Sequence, residues 1–317
     1  MNLLPTQIKN SRILISPLDW GMGHTTRCVA LIKKLIEQQN EIFFAGNEAQ
    51  INFIKREFPQ ISTTFLKGYG IRLDNEKSTY WQVIKQLNKI RRAIKSESTF
   101  ADNFVETNKI DYIISDNRYG LRSAQCKSIF ITHQLSLQIP YGKNLIDKNI
   151  KTWVEKFDCC WIPDFEKNGL CGALAEAELA IPKLFIGHLS RFEKQEETSK
   201  YKYLVIVSGP EPTRSQFAKK MVDYLALKKE DCAIVGINGS QKRLDFFEKP
   251  TTPELQKLIH QAETILSRAG YTTIMELAAL GKQCILIPTP GQYEQEYLAA
   301  LINLPNFKFV SEKTFFS

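Results

Sequence analysis

Two rhythms of apolar and polar positions alternate along this chain. Short apolar runs bounded by polar or glycine-containing turns read as strands buried on both faces, over 12–16, 41–46, 110–115, 128–131, 157–162, 203–207, 231–236 and 263–266. Between them, apolar residues recur at three- and four-residue intervals. That spacing predicts helices over 25–39, from 53 toward a short strand ending at 65, over 79–104, 214–227 and 253–262, and a further one ended by Gly281. In the 79–104 stretch Trp81, Ile84, Leu87 and Ile94 share one face, which reads as core. Its basic residues (Lys85, Lys89, Arg91, Arg92, Lys95) read as a solvated face or as a face toward a membrane.

Strand, helix and strand repeat in order, which predicts α/β architecture with parallel sheets. The pattern restarts at 203. Before it, Arg191 to Lys200 is charged and lacks apolar periodicity, so it reads as a linker. The expected layout is a first Rossmann-like domain over 1–188, a linker over 189–200, and a second domain over 201–317. A length of 317 residues suits two ordinary domains.

Composition changes the picture little. An apolar fraction of 43% and a charged fraction of 24% are those of a globular chain. No apolar run reaches about 18 residues, and the start lacks a basic-then-apolar order, so a cytoplasmic location is expected. Seven cysteines (Cys28, Cys126, Cys159, Cys160, Cys171, Cys232, Cys284) form no C-x-x-C pair and predict buried thiols. The net charge of +8 fits an anionic substrate, an anionic membrane surface or a solvated basic face. Nucleic acid is disfavoured, because no basic cluster is interleaved with aromatics.

Candidate chemistry collects where strands end. Ser267-Arg268-Ala269-Gly270 reads as a turn with a residue free to take positive φ, and Thr272 or Thr273 as the cap of the next helix. A glycine-opened helix start is an anion site suited to a diphosphate. Glu276, about one turn in, suits two ribose hydroxyls. Gln292, Glu294, Gln295 and Glu296 suit the hydroxyls of a sugar. Near the N-terminus, Gly21-Met-Gly-His24 leads into a helix, with Thr26 in the third place of G-x-G-x-x-G and no acidic residue closing the second strand. A nicotinamide cofactor is therefore a poor reading. Arg27, nearly one turn past His24, meets phosphate or solvent. Asp116-Asn117-Arg118 and His133 also fall at strand ends, and Lys67 to Leu73 is a glycine loop without an assigned role.

The pair of segments Ala269-Gly270, Thr272-Thr273, Glu276 and Pro290-Gly291-Gln292, Gln295-Glu296 resembles the donor-binding half of GT-B glycosyltransferases of family 28. Gly21-Met-Gly-His24 resembles their acceptor-side loop. The resemblance is specific in the last third, local at 16–28 and topological between. Arg268 and Tyr271 are bulkier than the residues many relatives carry. It implies a GT-B fold: two Rossmann-like domains with parallel sheets facing across a cleft. It implies an inverting transfer from a nucleotide sugar, UDP-linked, to an acceptor hydroxyl that is lipid-linked or on a saccharide. The implied site has His24 as base, with Asp116 or His133 assisting. Gly23, Ser208, Gly209, Ser267, Arg268, Ala269, Gly270, Thr272, Thr273, Glu276, Gln292, Gln295 and Glu296 would face the donor. No D-x-D occurs, so no metal and no further cofactor is expected. Peripheral contact with the inner face of a membrane is a further implication. The family usually runs on into a helix crossing back to the first domain, whereas Ser317 follows soon after Val310, so a shortened tail is expected. Gly21 to Cys28 also resembles the loop of UDP-sugar hydrolases of nonulosonic acid synthesis, where the His activates water. Non-catalytic binding of a sugar nucleotide, and epimerisation, are the remaining alternatives.

Overall fold

The computed structural model describes residues 3–70 and 86–317. Trp81, Ile84, Lys85 and the end of the glycine loop at Leu73 lie outside the described residues. The chain divides into two compact units, Met1–Leu189 and Ser190–Ser317.

In the first unit β1 (Arg12–Pro17), β2 (Glu41–Gly46), β3 (Ser62–Phe65), β4 (Tyr112–Asp116), β5 (Lys127–Ile131), β6 (Cys159–Ile162) and β7 (Lys183–Phe185) form one sheet, in the order β3-β2-β1-β4-β5-β6-β7. Its pairings are parallel, and the β1–β4 register sets Pro17 beside Asp116. The order reverses between β1 and β4, so the loops leaving these strands part and open a crevice at their carboxyl ends.

Helix α1 (Gly23–Glu37) buries Cys28, Leu31, Ile32 and Leu35, a 3.6-residue stripe, and Gln39 follows it with φ of 63°. Helix α2 (Glu48–Glu57) begins on a capping box: Asn47 accepts from the Gln50 amide at 2.9 Å, and Gln50 accepts from the Asn47 amide at 3.0 Å. Such a cap contributes about 1 kcal/mol. Here it also points the buried Gln50 amide at the Leu18 carbonyl and Thr25 hydroxyl, fixing the loop that leads to His24. Helix α3 (Leu87–Asn108) lays Ala101 and Val105 on Leu14, Phe43 and Ile113. Gly120 passes so close to it that a Cβ would sit 2.1 Å from the Ile94 carbonyl oxygen. Helix α4 (Lys143–Val154) has no counterpart in the sequence pattern, because it buries only Ile150 and Val154 and has no side-chain cap.

In the second unit β8 (Tyr201–Ile206), β9 (Cys232–Val235), β10 (Leu244–Phe247), β11 (Ala262–Arg268), β12 (Gln283–Ile287) and β13 (Phe307–Phe309) form a parallel sheet in the order β10-β9-β8-β11-β12-β13. Its reversal lies between β8 and β11. Helix α5 (Thr213–Ala226) packs Phe217, Met221 and Leu225 against Val205, Ile234, Leu266 and Ile287. Each such side chain contributes about 1.5–3 kcal/mol on burial. Helices α6 (Thr252–His260), α7 (Tyr271–Leu280), α8 (Tyr293–Leu301) and the short α9 (Glu312–Phe315) complete the unit.

Residues 190–200 are bonded along this second unit. The Thr198 and Lys200 amides donate to the carbonyls of His260 and Gln261, and the Glu193 amide donates to Gln256 Oε1. Glu197 meets the buried Lys282 ammonium at 2.9 Å. This charged stretch is therefore held to the unit by its backbone and by Glu197. The cysteines are free thiols, buried except for the half-buried Cys126. Among the described residues no helix is long and apolar enough to cross a membrane.

Candidate active site

The first unit's site is built at its strand-order reversal. Gly21 takes φ of 95° and Gly23 starts α1, so His24 lies in the first helical turn. Asp116 is the last residue of β4. His24 Nδ1 lies 2.8 Å from Asp116 Oδ1 and 2.9 Å from Arg27 Nη2. These two neighbours ask opposite things of Nδ1, but Arg27 Nη2 already donates to Asp116 Oδ1. A bare nitrogen lone pair facing that carboxylate oxygen would only repel it, so the proton is assigned to Nδ1 and donated to Asp116. That leaves the lone pair on Nε2. Arg27 donates through Nε and Nη2 to both Asp116 oxygens. Its Nη1 lies 3.0 Å from His133 Nδ1; a guanidinium only donates, so this nitrogen accepts.

Arg27, Asp116 and His133 are buried, whereas the His24 side chain keeps 18% exposure. His24 is thus the member of the four that a solute can reach. Burial lowers the His24 pKa below its usual value and Arg27 adds to that, against an upward pull from Asp116. Burial pushes the Asp116 carboxyl up, but Arg27 and His24 outweigh it and hold the pKa at about 2. Burial drives the Cys28 thiol well upward, so it is no nucleophile.

Two sequence expectations change here. Arg27 meets neither phosphate nor solvent, because Asp116 and His133 occupy its fork. The sequence signal was its position three residues from His24 on one helical face. Arg118 does not share a cleft with Asp116. It turns into the core, donating to Glu97 Oε1 at 2.8 Å and to the Pro17 carbonyl at 2.8 Å. Glu97 also accepts from the Gly120 amide and the Tyr69 hydroxyl. This network clamps the loop behind Asp116.

The second unit offers backbone where the first offers side chains. Ser208 and Gly209 follow β8, Gly209 with φ of 107°, and Gly270 follows β11. These positions flank that sheet's reversal. A Cβ added at Gly209, Gly270 or Gly291 would meet nothing within 4 Å, so the backbone is open to a close approach.

Several expectations about residues 267–276 are corrected. Ser267 and Arg268 are not in a turn; they are the last residues of β11, paired with Leu286 and Ile287 of β12. Gly270 has φ of −72°, not a positive value, and is itself the N-cap of α7, without a side-chain cap. Thr272 and Thr273 are the second and third residues of the helix, past the capping position. The Ser267 hydroxyl is buried against the Ile206 carbonyl at 3.0 Å, and Ala269 is fully buried. Neither side chain is presented to a ligand. Arg268 stacks over Phe217 at 4.0 Å and pairs with Glu312 at 2.6 Å, turned away from the helix start. Glu276 is 5% exposed and accepts from Arg191 Nε at 2.9 Å, a partner from the stretch read as linker. In the loop before α8, Gln295 Oε1 accepts from the Thr289 amide, Glu296 Oε1 from the Gly291 amide, and Gln292 from Gln295. These side chains shape the loop itself.

Known proteins place this geometry. Residues 204–303 match the glycosyltransferase family 28 C-terminal domain. The chain is 24% identical over 311 residues to the UDP-N-acetylglucosamine–N-acetylmuramyl-(pentapeptide) pyrophosphoryl-undecaprenol N-acetylglucosamine transferase of Caldanaerobacter subterraneus subsp. tengcongensis, covering 88% of this chain and 80% of that one. The same enzyme of Buchnera aphidicola is 23% identical, covering 92% and 82%. A match at 28% to that of Rhodopseudomonas palustris spans only 30% of this chain and 25% of the relative. Solved structures share the fold. A UDP-glucosyltransferase from Polygonum tinctorium has a TM-score of 0.61 at 13% identity, covering 92% of this chain and 82% of that one. The calicheamicin glycosyltransferase has a TM-score of 0.59 at 12% identity, covering 96% and 87%.

Two parallel-sheet α/β units with these neighbours define a glycosyltransferase of the GT-B class. The match to the family 28 C-terminal domain falls within its second unit. None of the relatives named here is a hydrolase, and the hydrolase alternative gains no support from them.

Proposed function

We propose that the chain transfers a sugar from a UDP-linked donor to an acceptor hydroxyl, with inversion and without a metal ion. The observation that carries this is the His24–Asp116 pair, which leaves Nε2 of a partly open imidazole free to take a proton. The acceptor oxygen bonds to the anomeric carbon as its proton passes to His24 Nε2. The bond from that carbon to the diphosphate breaks, and UDP leaves with the electron pair. Asp116 stays ionised and steadies the imidazolium. His133 acts through Arg27 as a positioning residue. Arg27 also argues against a cation here, since its guanidinium already fills the Asp116 oxygens. The α7 start at Gly270, with Ser208 and Gly209, would receive the diphosphate. Glu276 would take the ribose, and the loop shaped by Gln292, Gln295 and Glu296 would take the sugar. The relatives' names favour a UDP-N-acetylglucosamine donor and a diphosphate-linked lipid acceptor; such an acceptor would put the protein peripherally on the inner face of a membrane.

The test is turnover of UDP-N-acetylglucosamine with a polyprenyl diphosphate sugar in anionic vesicles, with a soluble saccharide, and with no acceptor. Product on the lipid acceptor, lost by about 10²–10⁴-fold in His24→Ala, is expected. Unchanged transfer in His24→Ala would remove the base assignment. Rapid release of free sugar without acceptor would replace transfer by hydrolysis.

A further inference from the structure

Glu276 lies too deep in the second unit to serve a ribose unaided. Burial favours its neutral acid form. A neutral carboxyl accepts poorly from two hydroxyls, whereas a carboxylate accepts from both. Arg191 supplies what is missing. Its Nε donates to Glu276 Oε1 at 2.9 Å, with the two side chains only 10% and 7% exposed. Its backbone amide bonds the same carboxyl. Its guanidinium lies 4.7 Å from the Phe192 ring. Among the described residues Arg191 is the cation paired with Glu276.

The segment that delivers Arg191 is tethered at several points. His260 Nε2 donates to the Glu193 carbonyl at 3.0 Å, the Glu193 amide donates to Gln256, and Glu197 holds Lys282. A guanidinium on a long stem loses rotamer freedom when it is held. Here the tethers and the Phe192 contact limit that loss in advance of any ligand.

We propose that Arg191 is a positioning residue of the nucleotide site: strapped to the second unit by residues 190–200, it holds the Glu276 carboxylate oriented and ionised for the ribose diol of a nucleoside diphosphate. The inference rests on the donor reading above and names the group of the donor that this pair recognises. Arg191 acts through Glu276, so its removal is felt only while Glu276 is a carboxylate. Loss of the guanidinium leaves only the backbone amide to oppose burial, and the carboxyl then takes up a proton more readily as pH falls.

The experiment is calorimetric titration of the full chain with UDP and with 2′-deoxy-UDP, for wild type, Arg191→Gln, Arg191→Lys, Glu276→Gln and the double Gln variant. Arg191→Gln is expected to weaken UDP about tenfold, a shift of about 1.4 kcal/mol. It is also expected to erase the preference for UDP over 2′-deoxy-UDP. Arg191→Lys should restore part of both, and it carries the test if the Gln variant fails to fold. In the Glu276→Gln background, Arg191→Gln should cost nothing more. The affinity of Arg191→Gln should fall more steeply than that of wild type as pH is lowered. Unchanged or tighter UDP binding in Arg191→Gln, or a loss that adds to that of Glu276→Gln, overturns the proposal; tighter binding would make the pair a latch over the site. A wild-type protein without affinity for UDP would instead sink the donor reading beneath it.

Discussion

The two strand-order reversals of this protein are built from opposite materials. At the β1–β4 reversal, four side chains lock one another: His24, Arg27, Asp116 and His133. At the β8–β11 reversal the open material is main chain, at Gly209 and at the start of α7, which has no side-chain cap. A proton acceptor needs one nitrogen aimed and its charge state set, which a buried ion network supplies. A diphosphate needs several donors and room, which open glycines at a helix start supply. One topology thus hosts a rigid, charge-defined site and a shape-defined one.

The strongest way to break that contrast is Asp116→Asn. It strands the buried Arg27 guanidinium without a counter-charge and removes the acceptor that fixes the His24 proton. Loss of a partner from a buried ion pair costs about 3–5 kcal/mol. Thermal melting should show a matching drop, together with loss of transfer. The pH dependence has a definite sign. The Asp116 carboxyl falls from an ordinary 3.8 to about 2 on folding. Its stabilising share is therefore whole above the unfolded value and fades as pH drops through the folded one. Melting temperatures of wild type should fall across that acid window by more than those of Asp116→Asn. A variant that melts like wild type would mean that the cluster does not define the first site.

The split also explains what was legible in the sequence. The strands and their ends were readable, because parallel strands buried on both faces appear as apolar runs and their polar exits stand out. His24, Asp116 and His133 were found by that position. Arg27 and Arg118 were not placed, since a sequence does not say which way a long cation turns. Here Asp116 claims one and Glu97 the other. In the second unit the sequence marks Gly270 as an opening before the helix, but its φ of −72° is not left-handed, and what the position has is space around it. Arg191 was hidden for a different reason. Its charged neighbourhood lacks periodicity, yet Arg191 and Glu197 answer polar groups fixed elsewhere in the fold.

Gly270→Ala sharpens the comparison at the second site. The residue caps α7 with an ordinary negative φ, and the added methyl meets no protein atom. Stability should therefore change by no more than about 1 kcal/mol, the usual scale of an N-cap exchange. The same methyl would stand where a diphosphate approaches the backbone. The KM for the nucleotide sugar should rise about tenfold, with kcat held within a few-fold. An unaffected KM would show that the ligand does not use this helix start, and the backbone half of the contrast would fail.

Glu312→Gln tests the smallest effect, and it asks whether Arg268 belongs to the site at all. Arg268 ends β11 two residues before the α7 N-cap Gly270, where a cation would suit a diphosphate. Its guanidinium instead pairs with Glu312, stacks on Phe217 and approaches the carbonyls of Ile287 and Pro288. Glu312 also meets the half-exposed Lys220. Replacing the carboxylate with an amide of the same shape keeps a hydrogen-bond acceptor and removes the charge. The expected cost is about 1 kcal/mol, read by urea unfolding. Because Arg268 retains its stacking and its carbonyl contacts, it should stay turned away, and UDP affinity should remain within about twofold, a difference of about 0.4 kcal/mol. A clear tightening of UDP binding in Glu312→Gln would show that freeing Arg268 adds a cation to the nucleotide site. The second site would then join side-chain charge to its open backbone, and the contrast with the first would narrow.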